Sequence, residues 1–173
     1  MACHTPGLTS AGVTIYRRFQ SAVPNRRGTF PGVFALANGL AWGGLLSAED
    51  HAWWAAENAR GDALYADPSH VVPGCYDREA NPGARAWFKE TAVDLIALTA
   101  AYLRLLDRYD VPWVELRTAS PGRVVYEDDV QVVTVPFTYP ADWPWSGLSL
   151  PAIPRRIPSS SATGPMGRTA RGE

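Results

Sequence analysis

Lysine is almost missing from this chain. Of its sixteen basic residues fifteen are Arg and one, Lys89, is Lys. With its abundant Ala, Gly and Pro, the composition has the look of a GC-rich coding bias, so an Arg here is not by itself a choice for bidentate recognition over a point charge. The two Cys, Cys3 and Cys75, make no disulfide framework. There is no Cys-x-x-Cys pair, no glycine-rich phosphate loop, no His-Glu-x-x-His and no Gly-x-Ser-x-Gly. None of the corresponding zinc, nucleotide-loop or nucleophile-elbow chemistries is signalled, and no cofactor is expected. No apolar run approaches the ~18 residues that a membrane span needs, so none is expected. The first twenty residues lack a basic segment followed by an apolar one. No signal peptide is therefore expected, and a cytoplasmic protein is.

Acids are missing from the first 48 residues, which carry four Arg and a net charge of +4. Residues 49–135 carry fifteen acids and eight bases, net −7, and residues 136–173 are net +2. The formal total of −1 says nothing about partners, but this segregation does. The length of 173 residues is enough for one domain with a real core. The expected organisation is a disordered N-terminus over 1–10, a single globular α+β domain over 11–154, and a disordered Ser/Gly/Pro/Arg tail over 155–173.

The stretch Asn81–Tyr109 organises the rest. Asn81 suits a helix cap and Pro82 the first helical position. Phe88, Ala92, Leu95, Thr99, Tyr102 and Leu106 then recur at spacings of three and four, which predicts one long helix. From Leu95 to Leu103 there is no charge, so its middle turns should be buried nearly all round. Before it, Val13, Ile15, Arg17 and Phe19 alternate with Thr14, Tyr16, Arg18 and Gln20, the period of a strand. Pro31 to Trp42 reads as a helix ended by Gly43-Gly44, and Ser47-Ala48-Glu49-Asp50 opens a second, giving a helical hairpin. Two acids at its start and two Trp within it argue against sequence-specific DNA reading. Residues 66–83 form a long connection of the kind that often serves as a lid or binding loop. After the long helix, segments 111–118, 123–127 and 130–136 read as an antiparallel meander, with the N-terminal strand added to the sheet. Residues 137–154 read as a Pro-rich extended strap. The fold class is thus α+β, a helical hairpin and one long central helix packed on a small antiparallel sheet.

Five sets of residues are candidates for chemistry. Arg17, Arg18, Arg26 and Arg27, with Tyr16 among them, have the composition of a nucleotide or RNA contact; the plainer reading pairs them with the acidic body of the fold. Cys75 with His51 or His70 could make an activated thiolate, against an ordinary loop Cys. Asp94, at the edge of the apolar run, could be a carboxylate of raised pKa, against an exposed helix residue. Glu127-Asp128-Asp129, with Glu115, could hold Mg²⁺ or Ca²⁺, against the usual acidity of a hairpin turn. Trp53, Trp54, Trp87, Trp143 and Trp145 could wall a ligand pocket, against a role in the core. Two classes of function follow. The favoured one is a non-enzymatic binding module for an anionic, nucleotide- or RNA-like ligand or a protein partner through the N-terminal arginines. The alternative is a small enzyme, a hydrolase or transferase, with its site under the 66–83 loop.

Overall fold

The computed structural model describes residues 12–140 and 142. The N-terminal segment 1–10, the tail 155–173, Trp143 and Trp145 and most of the strap lie outside the described residues. The contacts group everything up to Thr138 into one compact unit. Its elements are β1 (Tyr16–Ser21), α1 (Val33–Trp42), α2 (Ala48–Leu64), α3 (Pro68–Val71), β2 (Arg85–Lys89), α4 (Val93–Arg108), β3 (Trp113–Thr118), β4 (Arg123–Glu127) and β5 (Gln131–Val135). The fold is α+β, with helices beside a five-stranded antiparallel sheet.

The long helix begins later than its periodicity suggests. Asn81 and Pro82 do not cap it; Gly83 there is left-handed, at φ +74°, and residues Arg85–Lys89 form a strand. The aromatic pair Trp87-Phe88 explains the switch. Both rings are buried, and neighbours on a strand face opposite sides, so each finds its own layer. Phe88 stands four residues before Ala92, which is why the strand could pass for a continuation of the helix.

From Val93 the helix is as expected. Leu95, Leu98, Thr99, Tyr102, Leu103, Leu105 and Leu106 are buried, and only Ala97 is exposed between Leu95 and Leu103. These residues pack with Val33, Ala37 and Leu40 of α1 and with Phe19 and Phe88 of the sheet into one core. Its C-terminus closes as a Schellman motif. Val111 N–H donates to Leu106 O at 3.0 Å and Asp110 N–H to Asp107 O at 3.3 Å, with Asp110 left-handed at φ +52°. Asp tolerates that region better than most side chains.

The strand order is β3-β1-β2-β5-β4. β4 and β5 form the expected hairpin, but β3 pairs with β1 rather than with β4. Three consecutive strands therefore do not lie side by side. β3 ends at Thr118 beside Tyr16, whereas β4 begins at Arg123 beside Val135, at the other edge and the other end of the sheet. The five Cα steps between them reach at most about 18 Å. A flat sheet would hold its outer strands about 19 Å apart, so this one is coiled until its edges approach. Gly122, at the end of that crossing, lies tight against the end of β5. Its φ is +139°, and a Cβ there would lie 2.2 Å from the Val135 carbonyl oxygen.

This core assignment is testable. Leu106 is fully buried and Ala97 is exposed. Leu106→Ala should cost about 2–5 kcal/mol in urea unfolding, while Ala97→Asp should stay within about 0.5 kcal/mol of wild type. Comparable losses from both would contradict the buried face described.

Candidate functional site

The sheet forks at Arg18. β1 and β2 pair only through Tyr16↔Lys89 and Arg17↔Phe88. In a continued ladder Phe19 would face Ala86. Instead β2 diverges, and the chain returning through Phe30–Gly32 takes its place, with Gln20 bridged to Gly32 and Ser21 N–H donating to Pro31 O at 2.8 Å. The Arg18 guanidinium sits in the fork. Its Nη1 donates to Ala86 O at 2.8 Å, its Nη2 to Phe30 O at 3.1 Å, and its Nε to Gln20 Oε1 at 2.8 Å. A side chain thus satisfies a carbonyl that the broken ladder would leave open.

A cleft of about 1030 Å³ opens from this fork toward the helices. On the sheet side it is lined by Arg18, Phe88 and Gln131, with Arg85 and Tyr76 beside them. Phe34, Asn38 and Trp42 of α1 face it from the helical side, with Asn58, Gly61 and Asp62 of α2 and Tyr102 of α4. The 66–83 connection flanks it through Asp67, Tyr76 and Arg78.

The helical wall is held by hydrogen bonds as well as by the partly buried Trp53 and Trp54, which pack on the core. No residue of α2 is buried. Its N-terminus is capped by Ser47, whose Oγ accepts from Asp50 N–H at 3.1 Å. Tyr109 Oη–H donates to Asp50 Oδ2 at 2.7 Å, and Arg108 pairs with Asp50. Along the cleft, Tyr102 Oη–H donates to Asn58 Oδ1 at 2.6 Å, Asn58 Nδ2 to Asn38 Oδ1 at 3.1 Å, and Trp54 Nε1 to the same Asn38 oxygen at 2.9 Å. Burial, then the charges of Glu57 and Asp62, push the Tyr102 hydroxyl up to about 12, so it stays a donor.

The electrostatics of the fork are unusual. Burial first, and then the like charge of Arg85, push the Arg18 guanidinium down to about 10, with Tyr76 pulling the other way. Burial lowers Arg85 as well. The Tyr76 hydroxyl is itself raised, chiefly by burial. Among the described residues neither Arg18, Arg78 nor Arg85 has a carboxylate within ion-pair distance.

The four N-terminal arginines are not brought onto one surface. Arg17 and Arg18 are neighbours on a strand and face opposite sides. Arg17 pairs with Glu115 at 2.6 Å and stacks over Phe19 at 5.1 Å, so this one does pair with the acidic body. Arg26 and Arg27 are exposed on the turn before Gly28, with no carboxylate partner among the described residues. Tyr16, half-buried at the start of β1, lies between Lys89 and Thr118.

The other candidates separate. Cys75 is buried, and burial together with Asp67 pushes its thiol up, away from a reactive thiolate. It lines a second hollow, with Asn81 and Arg123, apart from the main cleft. His70 is exposed on α3, and His51 is exposed on α2 with its ring 5.1 Å from Trp54. Asp94 is exposed in the first turn of α4, where its charge complements the helix N-terminus. Among the described residues no group of three or more His, Cys, Asp or Glu is placed to hold a metal ion. In the acidic turn Glu127 pairs with Lys89 at 2.7 Å, while Asp128 accepts from Tyr126 Oη–H at 2.7 Å and from Val130 and Gln131 N–H at 2.8 and 2.7 Å. Trp53 and Trp54 pack on the core, Trp87 is buried, and the Trp that lines the cleft is Trp42, 77% exposed.

Sequence reasoning passed over Arg85, Asn38, Asn58 and Tyr102. One signal was present. Asn38 interrupts an otherwise apolar helix, where a residue that prefers caps and turns calls for a partner.

Asp128 yields a pH prediction. Burial alone would raise its pKa, but the hydrogen bonds from Tyr126, Val130 and Gln131 outweigh it and hold the carboxyl below the usual range. A depressed folded-state pKa stabilises fully above the unfolded value of about 3.9, and that contribution disappears as pH falls through the folded value. The urea midpoint should therefore drop on acidification below about pH 4, and Asp128→Asn should flatten that drop. An unchanged acid slope in the variant would contradict the assignment.

Among the described residues no helix is long and apolar enough to cross a membrane. Comparisons with models of protein families, with curated proteins and with solved structures found no match.

Proposed function

We propose that this protein binds a nucleotide-like anion in the cleft, with Arg18 as the anchor of the anionic group and Arg85 beside it. The observation that carries this reading is the pair of partly buried guanidinium groups with no carboxylate within ion-pair distance among the described residues. Buried charges are normally paired, because an uncompensated one is costly. Arg18, depressed by burial and by the like charge of Arg85, is relieved by a bound anion. Arg18 also keeps donors for it. Three of its five N–H groups are used, and all three acceptors are neutral.

The rest of the cleft suits a larger organic anion better than an inorganic one. Its volume of about 1030 Å³ lies at the top of the ~300–1,000 Å³ range of small-molecule sites. Phe34 and Trp42 offer apolar surface for a ring. Glu57 and Asp62 on the α2 wall can accept hydrogen bonds from sugar hydroxyls, as acidic residues do in other nucleotide sites. Arg26 and Arg27, exposed on the turn that leads into Thr29 and Phe30 at the cleft, serve to steer the ligand.

The test is calorimetric titration of the full chain with mononucleotides at two salt concentrations. Arg18→Gln should abolish binding and Arg85→Gln should weaken it about tenfold or more. The double change Arg26→Ala with Arg27→Ala should cost only a few-fold, and mainly at low salt. Arg18 also satisfies two carbonyls, so its loss should lower stability by about 1–3 kcal/mol; Arg85→Gln provides the arm that does not depend on the fork. Unchanged affinity in both single variants would overturn the reading.

A further inference from the structure

The hydrogen-bond chain on the helical wall runs in only one direction, and that direction leaves amide donors unused on two residues that line the cleft. A Trp indole nitrogen can donate but never accept. The Asn38 atom that meets Trp54 Nε1 is therefore oxygen, which fixes an amide whose orientation is otherwise ambiguous. The same oxygen takes Asn58 Nδ2, so the other end of the Asn58 amide must be the oxygen that accepts from Tyr102. Asn38 Oδ1 then holds two hydrogen bonds. Asn38 Nδ2 holds none among the described residues, and Asn58 Nδ2 has one N–H left. Both residues line the cleft, and Asn38 is half-buried on α1. An amide fixed by two neighbours, with two donors unused at the wall of a cavity, is a reader of an acceptor.

We propose that the cleft selects a nucleotide whose base carries an oxo group where adenine or cytosine carries an amino group, with Asn38 Nδ2–H₂ donating to that oxygen and Asn58 as the positioning residue. This rests on the reading of the cleft as a nucleotide site anchored at Arg18. An exocyclic amino group would present N–H to N–H, leaving the Asn38 donors without an acceptor, whereas an oxo group accepts from them. Asn38 thus sets base preference while Arg18 sets affinity.

The test compares matched ligands on the full chain: inosine against adenosine monophosphate, and uridine against cytidine monophosphate. Within each pair the phosphate and sugar are identical, so the ratio of affinities isolates the base. In the wild type the oxo member should bind about tenfold more tightly in the pair whose ring the cleft accepts. Asn38→Asp keeps an oxygen for Trp54 and Asn58 and turns the free nitrogen into a second oxygen. It should fold, and its ratio should fall to unity or invert toward the amino member. The added charge weakens both members alike and cancels in the ratio. Equal affinities in the wild type, or a ratio untouched by Asn38→Asp, would overturn the base assignment while leaving the anion site standing. Failure of all four nucleotides to bind would overturn both. Should the variant not fold, the wild-type ratio decides by itself.

Discussion

The guanidinium of Arg18 holds open a fork in the sheet, and the rest of the architecture is arranged around that opening. Two strands that pair at only two positions would normally expose unpaired carbonyls where they part. Here Arg18 bonds to Ala86 on one branch and to Phe30 on the other. The sheet can therefore split without losing those hydrogen bonds, with the Phe30–Gly32 segment in the place of the continued ladder and the cleft opening beside it. Among the described residues the charge that does this is left without an anion of its own, beside a second one on Arg85.

The opposite wall follows a complementary rule. α4 is anchored by burial, with Leu105 and Leu106 fully enclosed, whereas α2 has no buried residue, packs on the core through the partly buried Trp53 and Trp54, and is fixed by directional bonds from Asp50, Trp54 and Asn58. Hydrogen bonds fix its position while leaving room beneath it. Tyr102 joins the two regimes, since its ring is buried with Phe34 at 4.9 Å in an edge-on contact and its hydroxyl begins the polar chain across the cleft wall.

Much of the fold was legible because it rests on local patterns. The uncharged run Leu95–Leu103, the Gly43-Gly44 stop and the Ser47 cap are decided by chemistry a few residues wide, and each appears where the sequence puts it. The strand Arg85–Lys89 was hidden because Phe88 continues the helical spacing by coincidence, and only pairing with distant β5 and β1 decides between the two periods. The placement of β3 was hidden for a similar reason. A Pro-Gly turn after Thr118 reads as a hairpin, yet long-range pairing with β1 and the close approach at Gly122 send the chain to the far edge instead. The site was legible only in part. The strand alternation of residues 13–20 already separates Arg17 from Arg18, but nothing local tells which of the two meets an acid. That depended on Glu115 lying opposite Phe19. Asn38, Asn58 and Arg85 come together only through tertiary register.

The central claim is that the fork is the anion's seat. The most direct measurement is a crystal structure of the full chain grown with a mononucleotide. The account predicts the phosphate within about 3 Å of the Arg18 Nη atoms, with Arg85 turned toward it and α2 in place above. A phosphate held at Arg26 and Arg27 alone, or a nucleotide bound away from the fork, would contradict it.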